Sequence, residues 1–126
     1  AACQLVVAQR LARKNCKDCK VPDDDVNPKV LQDLGFSAEQ ATRVKAIKGK
    51  GCAKCSDTGY KGRQGIYEIL VVSKPLKEAI LRKATTPELR EIAIKEGFQT
   101  MQDMGRRLIA AGELNFREYE RVLSNE

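Results

Sequence analysis

The 126-residue sequence contains no histidine, and it has only three phenylalanines and three tyrosines. Without histidine there can be no histidine general base and no metal site of mixed cysteine and histidine ligands. The shortage of aromatic side chains leaves little for stacking on nucleic-acid bases. These absences exclude histidine-based catalysis and disfavour base recognition by stacking.

Long hydrophobic runs are also missing, since the longest, among them LVVA at 5–8 and ILVV at 69–72, have only four residues. A helix needs roughly 18 apolar residues to cross a bilayer, so the sequence predicts no transmembrane span. The N-terminus shows neither a signal-peptide pattern nor an initiator Met. We therefore expect AACQLVVAQRL to continue from an earlier part of a larger protein.

The glycine-rich phosphate loop G-x-x-x-x-G-K-[ST] is absent as well. The segments KGKGCAKC and GYKGRQG contain glycines but lack the strand, loop and helix setting in which that loop binds phosphate. The sequence therefore predicts that these 126 residues are not an enzyme and do not hydrolyse ATP by themselves.

Four of the five cysteines form two matched pairs, C-x2-C-x32-C-x2-C, made of Cys16 and Cys19 followed by Cys52 and Cys55. Each pair can converge on one ion from a tight turn, and two pairs complete the closed tetrahedral shell that structural zinc prefers. Four thiolates leave no open position for a water nucleophile, so the predicted role of the metal is structural. Iron in a rubredoxin-like site would use the same ligands, and the residue types do not separate the two metals.

A redox dithiol or a set of disulfides would account for less of the cysteine pattern. A redox dithiol needs one C-x2-C pair and leaves the second pair unexplained. Two disulfides would leave Cys3 unpaired, and disulfides are rare in cytosolic proteins. Cys3 itself lies in the first apolar stretch, where a small core residue is predicted.

The charge balance gives a weaker clue. The chain has 23 lysines and arginines against 17 aspartates and glutamates, a formal net charge of +6. Because the basic residues are spread along the chain, they fit an ordinary solvated surface at least as well as a nucleic-acid footprint. A basic face toward an acidic partner or anionic lipid remains open.

The first half of the chain shows helical signals around the cysteine pairs. The apolar spacing over residues 4–14 predicts a helix, or a strand running into a helix, that ends at Asn15. A short helix is predicted over 28–34. A second is predicted from a capping box at Ser37 to about Lys48.

The second half is predicted to be a strand followed by helices. The β-branched and aromatic run after a glycine-punctuated loop predicts one buried strand at 65–71. The pattern over 73–126 predicts a bundle of four helices, with start signals that include Thr86, Thr100 and Asn115. The predicted fold class is thus α+β and mostly helical, with a small zinc-knuckle subdomain.

The segments AQRLARKNCKDC and GCAKCSDTGYKGRQGIYEIL, followed by LREIAIKEGFQTMQDMGRRLIAAGELNFREYERVL, resemble the C-terminal part of the secretion and pilus-assembly ATPases. These are the motors of type II secretion and type IV pili, and the resemblance covers nearly the whole chain. It implies a tetracysteine subdomain inserted late in a RecA-like ATPase core, with one structural Zn²⁺ held by Cys16, Cys19, Cys52 and Cys55.

The resemblance also implies a division of the chain. Residues 1–13 would be the last helix of the ATPase core, 14–62 the zinc-binding subdomain, 63–72 the strand that rejoins the core, and 73–126 the helical C-terminal subdomain. ATP and Mg²⁺ would bind only in the full-length parent, an ATP hydrolase whose catalytic motifs lie upstream of residue 1. The fragment would hold no catalytic or cofactor-binding residue of its own.

Partners and location follow from the same resemblance. The parent would form a hexamer with neighbouring ATPase subunits and bind an inner-membrane platform protein from the cytoplasm, while the fragment alone is expected to be monomeric. Its role would be structural or docking, in either pilus assembly or secretion. The alternative is a zinc-ribbon-like module that binds nucleic acid, which the basic balance suggests but the few aromatic residues disfavour.

Overall fold

The computed structural model describes residues 3–123, and of Cys3 it describes the backbone alone. The elements, in chain order, are β1 (Cys3–Asn15), β2 (Lys20–Pro22), α1 (Pro28–Asp33), α2 (Ala38–Arg43), β3 (Ile47–Gly49), β4 (Tyr60–Val72), α3 (Lys74–Leu81), α4 (Thr86–Lys95), α5 (Met101–Ala110) and α6 (Phe116–Leu123). Strand β1 pairs with β4, and β2 pairs with β3. The predicted α+β, mostly helical class is confirmed. None of the helices within 3–123 has the length and apolarity of a membrane span.

The chain divides into two compact units. The helix-pair unit comprises Ala1–Gln9 and Tyr67–Met101 and includes α3 and α4. The cysteine unit comprises Arg10–Ile66 and Gln102–Glu126 and includes α1, α2, α5 and α6. This grouping differs from the sequence prediction of one helical subdomain over 73–126, because α3 and α4 belong to one unit and α5 and α6 to the other.

The first predicted element is only partly right. Residues 3–15 form the strand β1, so the strand of the predicted alternative is present. The helix predicted within 4–14 is wrong, and so is the helical state assigned to 1–13 for the residues that the structure describes. Consecutive β-branched Val6 and Val7 favour a strand, and the hydrogen bonds come from β4, far along the chain. The predicted end at Asn15 is confirmed.

Two predicted boundaries also shift. Helix α2 stops at Arg43 instead of Lys48, because Val44 has extended backbone angles and Ile47–Gly49 pairs antiparallel with Lys20–Pro22. The strand predicted at 65–71 is present, but it begins at Tyr60. The glycine-punctuated segment before residue 65 is therefore largely strand.

The two predicted helix starts around residues 28 and 37 are confirmed. Helix α1 begins at Pro28, whose missing N–H costs nothing at a first helical position. Helix α2 has a complete capping box, since Gln40 N donates to Ser37 Oγ at 3.1 Å and Ser37 N donates to Gln40 Oε1 at 3.0 Å. Helix α4 starts one residue earlier than predicted, because its N-cap is Thr85 instead of Thr86.

The largest fully buried apolar side chains all lie in the cysteine unit: Leu31, Ile66, Ile109, Leu114 and Leu123. Helices α5 and α6 pack closely there, because Gly105 has no side chain. A Cβ at Gly105 would lie 2.4 Å from Leu123 Cδ1. Three of these five side chains, those of Ile109, Leu114 and Leu123, lie in α5, in α6 or between them.

Candidate metal centre

Strand pairing brings the two cysteine pairs to the same place. The first pair ends immediately before β2 and the second begins shortly after β3. In the antiparallel register, Lys20 lies opposite Gly49, so the end of β2 that follows Cys19 meets the end of β3 that precedes Cys52. Lys50 N continues the pairing by donating to Cys19 O at 2.9 Å. The two C-x2-C turns therefore converge although 32 residues separate them in the sequence.

Two glycines allow the turns to close against each other. A Cβ on Gly49 would lie 2.0 Å from the carbonyl oxygen of Gly59, so only glycine fits at position 49 without a shift of the backbone. Gly59 has a φ of +82°, which favours glycine. Its carbonyl accepts a 2.9 Å hydrogen bond from Cys16 N. The second turn is thereby attached directly to the first cysteine.

The four sulfur atoms form a compact cluster, with every Sγ within 4.8 Å of the others. Cys16 and Cys52 are 3.8 Å apart, Cys19 and Cys55 are 3.9 Å apart, and Cys52 and Cys55 are 3.8 Å apart. A regular tetrahedron with Zn–S bonds of about 2.3 Å has sulfur atoms about 3.8 Å apart. A disulfide needs about 2.05 Å, and all four are free cysteines. The spacing fits four ligands of one ion.

Backbone amides also point at the sulfur atoms. Gly51 N donates to Cys19 Sγ at 3.3 Å, while Cys52 N and Gly59 N each donate to Cys55 Sγ at 3.2 Å. Burial opposes ionisation of Cys55, but these two amides and the neighbouring sulfurs lower its pKa to about 6. The amide of Gly51 lowers the pKa of Cys19, but burial and the other three sulfurs together raise it to about 11. Four thiolates this close repel one another, and a divalent cation among them would remove that repulsion.

The structure thus brings together the four cysteines that the sequence singles out. Cys16 and Cys55 are buried, and Cys19 and Cys52 are partly buried. Their role as metal ligands stays a prediction at this point. The side chain of Cys3, predicted to be a small core residue, lies outside the described residues.

A second polar cluster, which the sequence pattern does not reveal, lies in the same unit. The carboxylate of Glu118 is fully buried, and its Oε2 accepts from Arg13 N at 2.7 Å while its Oε1 accepts from Arg13 Nη2 at 2.8 Å and Arg121 Nε at 3.0 Å. Burial alone would raise the pKa of Glu118, but Arg121 and Arg13 lower it to about 2. The local spacing indicates Glu118 only as half of a capping box with Asn115. Asn115 Oδ1 does accept from Glu118 N at 2.7 Å.

The residues just before the first cysteine pair are fixed to the C-terminal helices. Asn15 N donates to Glu113 O at 2.9 Å, and Asn15 Nδ2 donates to Ile47 O and Gly112 O, both at 3.1 Å. Two residues earlier, the Arg13 guanidinium lies 4.1 Å from the centroid of the Tyr60 ring. The residues just before the cysteine cluster are therefore held both by the segment between α5 and α6 and by the Tyr60 ring.

The fold and the cluster of four cysteines define an α+β chain with a candidate structural metal site. A comparison with known protein families identifies the family of the chain. The family model described as Type II/IV secretion system protein matches residues 1–121, and the chain belongs to this family.

Similar proteins include ATPases of both secretion and pilus systems. The chain is 39% identical over 100 residues to the type IV pilus assembly ATPase PilB of Thermus thermophilus, and the aligned region covers 79% of this chain and 11% of that protein. It is 34% identical over 118 residues to PilB of Myxococcus xanthus, covering 94% of this chain and 21% of that protein. It is 32% identical over 116 residues to the type II secretion system ATPase E of Vibrio cholerae, covering 80% of this chain and 22% of that protein. The chain therefore spans between about a tenth and a fifth of the length of these relatives.

Proposed function

We propose that this chain is the C-terminal, zinc-binding part of a motor ATPase that drives type IV pilus assembly or type II protein secretion. One Zn²⁺ would be held by Cys16, Cys19, Cys52 and Cys55. The observation that carries the proposal is the cluster of four sulfur atoms, all within 4.8 Å, with neighbouring pairs at 3.8–3.9 Å. Membership of the secretion family and the names of the relatives support the parent's identity.

The zinc would be structural. When bound, it supplies a cross-link between two turns and no reactive position, because four thiolates fill its tetrahedral shell. Cys16 and Cys19 would hold the N-terminal turn, and Cys52 and Cys55 would hold the turn that leads into β4. ATP hydrolysis, with its ATP and Mg²⁺, would belong to the full-length parent, since the 126 residues contain no phosphate-loop motif.

Within the parent, residues 14–62 would form the metal-binding subdomain and 63–72 the strand that rejoins the ATPase core. The chain would work in the cytoplasm, at the inner membrane, through neighbouring subunits of a hexamer and a membrane platform protein. Its own contribution would be to stiffen or dock the motor. The relatives' names as assembly and secretion ATPases support a place in such a motor.

Metal analysis of the chain, purified without chelator, tests the proposal. We expect one zinc per chain, and Cys52→Ser should lower the bound zinc sharply. Cys3→Ser is the matched control, because it removes the fifth cysteine and leaves the cluster complete. One iron per chain would identify a rubredoxin-like iron site instead of a zinc site. Four freely reactive thiols without metal would overturn the proposal.

A further inference from the structure

An apolar groove lies within the helix-pair unit, away from the cysteine cluster in the sequence. Its lining is almost entirely apolar and comes from the two long strands, from α3 and α4, and from Phe98 in the segment after α4. The lining residues are Val7, Leu70, Leu76, Ile80, Leu89 and Phe98, together with Thr86, Arg90 and Ala93 at the α4 side. All of them belong to the same unit.

The groove has room for about two bulky side chains. Its volume is about 290 Å³, and a cavity of about 150 Å³ accepts one benzene-sized group. Two neighbouring side chains of that size are what one face of an amphipathic helix presents at positions i and i+4. A concave surface of this kind can accept the protruding side chains of a helix.

The two helices that line one side of the groove carry a net positive charge. The segment 74–95, which carries α3 and α4, has six basic and three acidic residues. Arg82 is paired with Glu88 at 3.3 Å. Arg90 lies in the lining and has no ion-pair partner among residues 3–123. An apolar slot beside an exposed, unpaired guanidinium is complementary to an apolar helix face that carries a carboxylate.

We propose that this groove docks an amphipathic helical segment of a partner protein, with two apolar side chains in the slot and a carboxylate on Arg90. The exposed Ile80 would be covered in the complex, which accounts for a large apolar side chain left 52% exposed. The groove residues and the four cysteines belong to different units, so the proposal does not depend on which metal the cysteines bind.

The probe for the test is a synthetic helical peptide of about 15 residues with leucines at i and i+4 and glutamates beside them. Its binding to the full 126-residue chain would be followed by fluorescence anisotropy. A second peptide with lysines in place of the glutamates should bind more weakly, and the difference should shrink as salt is raised. Equal binding of both peptides would overturn the role of the carboxylate.

Two pairs of variants separate the groove from general effects. Ile80→Asp changes a lining residue and should weaken binding about tenfold or more, because it places a charge in the apolar slot. Leu81→Asp is the control, since it is the next residue, is 82% exposed and lies outside the lining. Arg90→Glu should weaken binding of the acidic peptide about fivefold, while Lys95→Glu, the same charge change on the same helix, should leave it unchanged.

Different occupants of the groove predict different results. Concentration-dependent self-association that Ile80→Asp abolishes would overturn the proposal in favour of a second copy of the chain. Binding to anionic phospholipid vesicles, with no binding of the acidic peptide, would overturn it in favour of a membrane surface. The same weakening by Leu81→Asp as by Ile80→Asp would show that the groove is not the site.

Discussion

The two units of this chain are stabilised in different ways. In the cysteine unit, polar contacts connect residues that are far apart in the sequence, such as Arg13 with Glu118 and Asn15 with Gly112. In the helix-pair unit, stability comes from capped helices and a small core that includes Leu76 and Ala93. One unit thus depends on a few specific links, and the other on local signals and modest apolar burial.

The units also differ in what they leave exposed. Among the described residues, seven large hydrophobic side chains are exposed, and all except Leu11 lie in the helix-pair unit. The six in the helix-pair unit are Leu5, Val6, Val7, Ile80, Leu81 and Ile94. The cysteine unit exposes only Leu11 of this group, and it contains the one fully buried carboxylate among residues 3–123, that of Glu118. The cysteine unit therefore has more long-range polar links and fewer exposed large apolar side chains than the helix-pair unit.

The largest expected difference between the units follows removal of the zinc proposed above to bind the four cysteines. Structural zinc binds with an apparent free energy of about 10–16 kcal/mol, which matches or exceeds the whole stability of a small domain, about 5–15 kcal/mol. Cys52→Ser should therefore abolish amide protection in residues 14–62. Because Asn15 and Arg13 are bonded to the segment around α5 and α6, protection over 102–123 should fall as well. Hydrogen exchange measured by mass spectrometry checks this.

In the same experiment, α3 and α4 should keep their protection, since they belong to the other unit. Cys3→Ser serves as the control and should behave as the unmodified chain. Equal loss of protection in 74–95 would show that the two units unfold together. Loss restricted to 14–62 would show that the links to α5 and α6 contribute little.

The next largest effect should come from Glu118→Gln. Removing one partner of a buried ion pair costs about 3–5 kcal/mol. Here the cost should be at the lower end, because the Arg13 and Arg121 side chains are 48% and 55% exposed and can return to water. Urea unfolding of the metal-loaded chain measures it. Glu39→Gln is the matched control, since its pair with Arg43 is exposed and worth at most about 0.5 kcal/mol.

The pH dependence of unfolding measures the contribution of ionised Glu118 to the free energy of unfolding in an independent way. The folded pKa of Glu118 is lowered from 4.5 to about 2, so its ionised form stabilises the fold above pH 4.5. That stability should be lost as pH falls from about 4.5 toward 2. Acid also releases metal from thiolates, so the informative quantity is the difference between the unmodified chain and Glu118→Gln at each pH. A difference that stays constant down to pH 2 would contradict the assigned pKa.

Features with a short-range signal can be predicted from the sequence. The four cysteines stand out because two C-x2-C pairs are visible as a spacing. The start of α1 at Pro28 and the capping box of Ser37 with Gln40 are predictable because all their parts lie within four residues. The strand that contains residues 65–71 is indicated by its run of β-branched and aromatic residues.

The errors share a different cause. Residues 3–15 are a strand because β4, more than 40 residues later, supplies their hydrogen-bond partners. The buried Glu118 contacts Arg13, which is 105 positions away, and nothing near either residue indicates the contact. Helix α2 is shorter than its sequence pattern predicts because the pairing of Ile47–Gly49 with Lys20–Pro22 competes with helix continuation. Local patterns do not encode which distant segment a residue will meet.

The smallest predicted effect lies at the start of α4, in the helix-pair unit, where sequence and structure differ by one residue. Glu88 N donates to Thr85 Oγ1 at 3.4 Å, so Thr85 is the N-cap, whereas Thr86 is the first helical residue. Thr85→Ala should lower the opening free energy of the first turn by about 0.5–1 kcal/mol. Thr86→Ala should leave it equal or slightly higher, because alanine has the best helix propensity. Hydrogen exchange of the amides at 88–90, followed by NMR, distinguishes the two variants. A larger loss of protection in Thr86→Ala than in Thr85→Ala would show that Thr86 is the N-cap. Amides of the cysteine unit should be unaffected by either change, since that unit shares neither the cap nor the helix.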